Sequence, residues 1–181
     1  RMVDLGCGFG KSTRPFYLSD PELDLVAVDL AAPCLRLAAL TSRDDAAGRV
    51  RFLQRDAADT GLESGGFDTV TSTMLLHEVP PEHLERIFAE SCRLLAPGGI
   101  AIHLDFLVPE DDPFGRFIHF SHGRRNNEPF MRPLCEMDLR QAHERAGFRA
   151  VEILPFEEAP GALAPTHSAW RFPWAMVIAQ K

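Results

Sequence analysis

The residues best equipped for chemistry gather where a short apolar run meets a glycine cluster, Val3-Asp4-Leu5-Gly6-Cys7-Gly8-Phe9-Gly10-Lys11-Ser12-Thr13. Glycines let the backbone turn sharply and let a ligand approach with no side chain in between. The free N–H groups of a following helix offer partial positive charge to an anionic group. Two acids close later apolar runs, Asp29 in Val26-Ala27-Val28-Asp29 and Asp56 in Phe52-Leu53-Gln54-Arg55-Asp56-Ala57. Either acid alone reads as a solvated strand end, whereas their joint placement behind a glycine turn reads as a binding set. Proton-transfer candidates are His77, Glu78, His103, Asp105, His119 and His122, because histidine titrates nearest neutrality and carboxylates accept protons readily.

Two nucleotide-binding readings of the loop fail on single positions. A triphosphatase loop requires glycine, four residues, then Gly-Lys-Ser or Gly-Lys-Thr; Gly10-Lys11-Ser12 is present, but Leu5 stands where the first glycine belongs. Asp105 is placed to imitate the magnesium-holding acid of that class, which keeps the reading open. The dinucleotide pattern requires glycine or alanine three residues after Gly8, and that position is Lys11.

A third reading absorbs more residues. The run Asp4-Leu5-Gly6-Cys7-Gly8-Phe9-Gly10 resembles the first motif of the class I S-adenosylmethionine-dependent methyltransferases. Phe67-Asp68-Thr69-Val70-Thr71-Ser72-Thr73-Met74-Leu75-Leu76-His77 resembles the family's fourth-strand motif, and Leu94-Leu95-Ala96-Pro97-Gly98-Gly99 its turn before the fifth strand. The matches run from Val3 to Phe106 in the family's order. The resemblance implies S-adenosyl-L-methionine as cofactor and S-adenosyl-L-homocysteine as product. It places Asp4, Gly6, Cys7, Gly8, Asp29, Leu30, Asp56, Ala57, Ser72 and Thr73 around the cofactor, with Asp29, 23 residues after Gly6, on the ribose hydroxyls and Asp56 on the adenine amino group. Cys7 is expected as a small filler whose backbone, not its thiol, serves binding. No metal is implied.

These residues need strands to hold them. Short apolar runs at Met2 to Leu5, Leu25 to Leu30, Val50 to Gln54, Phe67 to Thr71, Gly99 to Phe106, Ala150 to Leu154 and Trp174 to Gln180 alternate with helical patterns near Lys11 to Leu18, Pro33 to Thr41, Pro81 to Leu95 and Met137 to Ala146. The alternation predicts an α/β fold, a mostly parallel seven-stranded sheet with helices on both faces. The family resemblance adds an antiparallel last strand. One domain over residues 1–181 is expected, and because the chain opens on Arg1 directly in a strand, native residues are expected to precede it.

Methyl transfer is an in-line displacement that requires alignment and exclusion of water rather than an enzyme nucleophile. By resemblance, the segment after the fourth strand lies beside the methyl group, which makes His77 and Glu78 the catalytic candidates. Residues 107–136 break the strand and helix rhythm with Pro109, Pro113, Pro129 and Pro133, and read as an insertion and candidate substrate lid. Phe114, Phe117, His119, Arg124 and Glu128 are its candidate acceptor-binding residues. The spacing of Phe114, Phe117 and Phe120 equally describes the apolar face by which a short helix docks on a core.

Composition limits the partners. A formal charge of -7 opposes binding to a phosphate backbone, and no apolar run approaches the roughly 20 residues of a membrane span, so neither nucleic acid nor membrane is expected. Cys7, Cys34, Cys92 and Cys135 are widely spaced with no CxxC pair, which points to a reducing cytoplasm. The expectation is methylation of a small molecule at oxygen, nitrogen or carbon, with oligomeric state undefined. The alternative is a non-catalytic methyltransferase-like subunit, against which the retained Gly6, Gly8, Asp29 and Asp56 weigh. Trp170, Phe172 and Trp174 are expected to cover a core edge.

Overall fold

Alternation along the first strands assigns the two faces of the sheet. In β1 (Met2–Leu5) and β2 (Leu25–Asp29) successive side chains point to opposite sides. Met2, Leu25 and Ala27 pack with Cys7 and Leu35 on one face, whereas Val3, Leu5, Val26 and Val28 join the larger core on the other. The smaller cluster is covered by α1 (Arg14–Ser19) and α2 (Ala32–Ser42), through Phe16 and Leu35. The larger one takes Leu84, Ile87 and Phe88 of α3 (Pro81–Leu94) and Leu139 and Ala142 of α6 (Leu139–Ala146). These positions come from a computed structural model, which describes residues 1–46, 48–158 and 173–181.

The remaining strands are β3 (Val50–Gln54), β4 (Phe67–Thr73), β5 (Leu95–Phe106), β6 (Ala150–Pro155) and β7 (Trp174–Gln180). The seven strands stand in the order β3-β2-β1-β4-β5-β7-β6, and β7 alone runs antiparallel to its neighbours. The α/β expectation and the antiparallel last strand both hold. Chain direction across the sheet reverses between β1 and β4, and a crevice at the carboxyl ends of such a pair is where open parallel sheets bind ligands.

Several boundaries differ from the sequence reading. α1 starts at Arg14 rather than Lys11, because Gly10 takes φ +78° and its N–H turns back onto Cys7 O at 2.8 Å. β4 continues to Thr73, and β5 takes in the turn from Leu95. α6 starts at Leu139, where the Asp138 carboxylate accepts from Gln141 N at 2.9 Å and caps the first turn. Trp174 lies half-buried with its ring centroid 4.3 Å from Phe106; Trp170 and Phe172 lie outside the described residues.

Residues 107–136 hold two helices, α4 (Pro113–Asn126) and α5 (Met131–Glu136). α4 docks through Gly115, His119 and Gly123, spaced four apart, and Phe114 and Phe117 stay 66% and 67% exposed. This corrects the expectation of a docking phenylalanine face. A Cβ on Gly123 would come within 2.8 Å of Met131 Sδ, so the close approach of α4 to α5 depends on the missing side chain.

Candidate active site

The loop after β1 owes its form to register with β2. Gly6 N and Cys7 N both donate to Val28 O, at 2.8 and 3.0 Å. Gly6 and Gly8 take φ of +70° and +52°, a region costly for residues with a Cβ. A Cβ on Gly6 would lie 2.7 Å from Leu75 Cδ1, whereas one on Gly8 would meet nothing within 4 Å. Asp29, at the carboxyl end of β2, locks the turn: its Oδ2 accepts from Gly8 N and its Oδ1 from Ala31 N, both at 2.8 Å.

Behind this turn lies a cavity of about 470 Å³ lined by Gly6, Gly8, Asp29, Leu30, Asp56, Ala57, Met74, Leu75, Glu78 and His83 among others. Asp56 sits half-buried at its rim, where its Oδ1 accepts from Ala58 N at 2.8 Å and meets His83 Nε2 at 3.0 Å. Partial burial opposes ionisation of this carboxyl, but the Ala58 N–H and the His83 ring outweigh it and hold the group below its usual range. Beneath the loop, Asp4 is fully buried. Its Oδ2 accepts from Thr13 Oγ1 at 2.5 Å and its Oδ1 has no hydrogen-bond partner. Burial pushes the Asp4 carboxyl up to about 7, against the Thr13 hydrogen bond.

Four residues expected around the cofactor do not line the cavity: Asp4, Cys7, Ser72 and Thr73. The Cys7 side chain packs into the smaller core and its N–H is taken by Val28, while burial and then Asp4 push its thiol far above the ordinary range. Ser72 is fully buried, with its Oγ 2.7 Å from His103 Nδ1 in the core. Ser72 and His103 are register partners across β4 and β5, which sets the hydroxyl against the His103 ring on one face of the sheet. His103 is buried beside His143 and Phe88, and burial drives it down to about 3, so it is a core histidine.

The catalytic candidates His77 and Glu78 lie on the 3-10 turn Leu76–Glu78 that follows β4. His77 is 1% exposed, and its Nδ1 lies 2.5 Å from Asp105 Oδ1 at the end of β5. Asp105 also accepts from Leu76 N at 2.8 Å and Phe106 N at 2.7 Å, so the carboxylate that orients the ring is itself fixed. In the neutral ring with Nδ1 donating to Asp105, Nε2 carries the free electron pair. Nε2 points to Glu78 Oε1 at 3.5 Å, and Glu128, in the turn after α4, faces the same group. Burial lowers the proton affinity of His77, but the Asp105 hydrogen bond and charge, with Glu78 and Glu128, raise it above the usual histidine value.

The candidate substrate residues separate in space. Phe117, Arg124 and Glu128 line a groove of about 610 Å³ over α4 and α5. Phe114 projects outward from α4, and His119 is fully buried on its docking face, where burial and then His77 and His122 push it down to about 4.

Sequence reasoning missed His83, whose position two residues into α3 carries no signal, and Met74, a non-glycine residue at φ +58° on the cavity wall. It named Asp105 as a base rather than as the orienting partner of His77. Only the contact across β4 and β5 shows that role.

Comparison with known proteins follows the same division. A family model described as a methyltransferase domain matches residues 2–99, more than half of the chain. The ubiquinone/menaquinone biosynthesis C-methyltransferase UbiE of Stutzerimonas stutzeri is 33% identical over 118 residues, covering 64% of this chain and 45% of the relative. The chain spans about half the length of the curated relatives it matches. Among solved structures, the S-adenosylmethionine-dependent methyltransferase SibL in its apo form superposes with TM-score 0.71 at 20% identity, covering all of this chain and 50% of that one. The phosphoethanolamine N-methyltransferase 2 of Haemonchus contortus, in complex with phosphomonomethylethanolamine and S-adenosylhomocysteine, superposes with TM-score 0.68 at 23% identity, over 86% and 35%. The loop, the strand-end acids and the sheet order meet in one family, and the chain belongs to the class I S-adenosylmethionine-dependent methyltransferases.

Proposed function

We propose that this protein transfers the methyl group of S-adenosylmethionine to an ionisable hydroxyl compound, at its oxygen or at a carbon that the ionised oxygen activates. The observation that carries the reading is one cavity lined by the Asp29-locked glycine turn and by Glu78, with the Glu78 carboxylate 3.5 Å from Nε2 of a buried histidine whose Nδ1 is held by Asp105. Bound S-adenosylmethionine supplies a methyl group on a positively charged sulfur, and transfer consists of displacement along the line from sulfur to acceptor.

The chain's own residues fit that cofactor. Asp29 keeps acceptor capacity on both oxygens for a vicinal diol, the Asp56–Ala57 rim suits an amino-substituted ring, and the unpartnered Asp4 Oδ1 beneath the loop suits a charged amino group. Gly8 leaves open space where a side chain would intrude. Ser72 and Thr73 contribute through the backbone of β4 rather than their hydroxyls. At the other end, His77 and Glu78 act on the acceptor: the Nε2 electron pair stabilises loss of the acceptor's proton, and the exposed Glu78 orients the hydroxyl. The relative named for C-methylation in quinone biosynthesis supports an oxygen-activated carbon as acceptor. Phe117, Arg124 and Glu128 shape the entrance, and residues 107–136 act as the lid of a single domain.

The net charge of -7 supports small acceptors over nucleic acid, and four free cysteines accord with a cytoplasmic setting. No described helix is long and apolar enough to cross a membrane. The test is calorimetric titration with S-adenosylmethionine and S-adenosylhomocysteine, alongside NAD and magnesium ATP, for the wild type and Asp29→Ala. Selective binding of the sulfur compounds, weakened by the substitution, is expected. Tighter binding of ATP or NAD, or no effect of the substitution, overturns the reading.

A further inference from the structure

We propose that His77 Nε2, Glu78 and Glu128 form a binding site for one divalent cation of the Zn²⁺ class, seated between the lid and the cofactor cavity. The inference rests on the reading of Nε2 as the electron-pair donor at the acceptor end, and it specifies what that pair holds.

The three ligand atoms lie within 4.8 Å of one another, and the His77 Nε2 to Glu78 Oε1 distance is 3.5 Å. Around a tetrahedral ion with bonds near 2.1 Å, neighbouring ligand atoms stand about 3.4 Å apart. The histidine and Glu78 already have that spacing, and the half-buried Glu128 closes it with a shift on the order of 1 Å, within the reach of its side-chain torsions. His77 meets the requirement that most surface clusters fail. Its ring is buried, and its distal nitrogen is held by Asp105, the carboxylate–histidine arrangement that fixes the tautomer and orientation of metal-binding histidines.

The charge distribution also favours a cation. Two carboxylates converge on His77 Nε2, and among the described residues no Lys or Arg forms an ion pair with Glu78 or Glu128, although His122 Nε2 lies 3.7 Å from Glu128 Oε2. One nitrogen and two carboxylate oxygens suit Zn²⁺ or Mn²⁺ rather than soft-metal chemistry. Three protein ligands leave a fourth position open to an acceptor oxygen, and Glu78 also lines the cofactor cavity. A hydroxyl oxygen bound there loses its proton to solvent and retains the electron pair that attacks the methyl carbon.

The test is calorimetric titration of chelator-treated protein with Zn²⁺, for the wild type, Glu78→Gln and Glu128→Gln, with S-adenosylhomocysteine titrated into the wild type in parallel. Both substitutions fall on residues with solvent access, which keeps folding out of the comparison. One ion per chain is expected, with affinity reduced at least about tenfold in each variant. Replacing Zn²⁺ by Co²⁺ is expected to give visible absorption bands of a four- or five-coordinate ion, lost in Glu128→Gln. Absence of saturable binding, equal affinity in all three proteins, or loss in one variant alone overturns the three-ligand site. S-adenosylhomocysteine binding with no Zn²⁺ effect overturns the cation and leaves the proposed function standing, whereas failure of S-adenosylhomocysteine to bind overturns the latter.

Discussion

The two ends of the site are held by different materials. At the glycine loop, main-chain groups make the shape: Gly6 N and Cys7 N on Val28 O, Gly8 N and Ala31 N on Asp29. At the proposed acceptor end, side chains from the turn after β4, from β5 and from the turn after α4 meet around His77. A backbone-built site depends on strand register and a few obligatory residues, so most substitutions leave it intact. A side-chain-built site changes with each residue exchanged, and so is the end at which acceptor preference can diverge.

The sharpest test of the contrast is Asp29→Ala. Removing a carboxylate that takes two backbone N–H groups and the diol is expected to weaken S-adenosylhomocysteine by about 3 kcal/mol, roughly 100-fold in Kd. A change under threefold by calorimetry breaks the claim that the strand-end acid governs the cofactor end. Asp105→Asn should do the reverse. It removes charged acceptors from Leu76 N, Phe106 N and the His77 ring, at a cost of about 2–3 kcal/mol in denaturant unfolding, and leaves S-adenosylhomocysteine affinity within about threefold.

Within the loop, Gly6→Ala should destabilise by about 2 kcal/mol more than Gly8→Ala. Both sit at positive φ, but only the new Cβ at Gly6 collides, with Leu75. Equal losses would show that dihedral strain alone decides.

The core beside the acceptor end gives a pH dependence. His103 is driven down to about 3 from 6.5 by burial, with His143 second, so the unfolded chain binds more protons between those values. This contribution is complete above pH 6.5 and declines as pH falls, by about 2 kcal/mol on reaching about pH 5. The Asp4 carboxyl, raised to about 7, works in the opposite direction, so the informative quantity is the slope lost in His103→Asn, measured by urea unfolding across that range. An unchanged slope would place the proton elsewhere. The smallest effect belongs to Phe114→Ala and Phe117→Ala, under about 0.5 kcal/mol each in unfolding, because both rings already face solvent. A larger loss would mean that the phenylalanine face docks after all.

Legibility in the sequence follows the same boundary. β1, β3 and β7 stand where alternation placed them, and Gly6, Gly8, Asp29 and Asp56 converge because regular strands carry them to one edge. The inward face of α4 is not legible in the sequence for a physical reason. A helix that docks through Gly115, His119 and Gly123 has no apolar stripe on its buried side, so the visible period belonged to its exposed face. The approach of Glu128 to His77 joins distant stretches of chain and leaves no local pattern. The turn of Ser72 into the core was set by one register step in β4, where motif resemblance gives position but not direction.

The parallel pairing of β1 with β4, Leu5 beside Ser72, has a consequence for how the molecule survives in the cell. The cavity walls come from the loops that follow β1, β2, β3 and β4 and from α3, so no partly folded fragment lacking one of these strands presents the complete cavity. Occupancy therefore couples β1 to β4 in one cooperative unit, and ligand at 100 times its Kd adds about 2.7 kcal/mol to stability. A protease that cuts only transiently opened chains would meet fewer of them, and the protein's lifetime against it would follow the supply of cofactor.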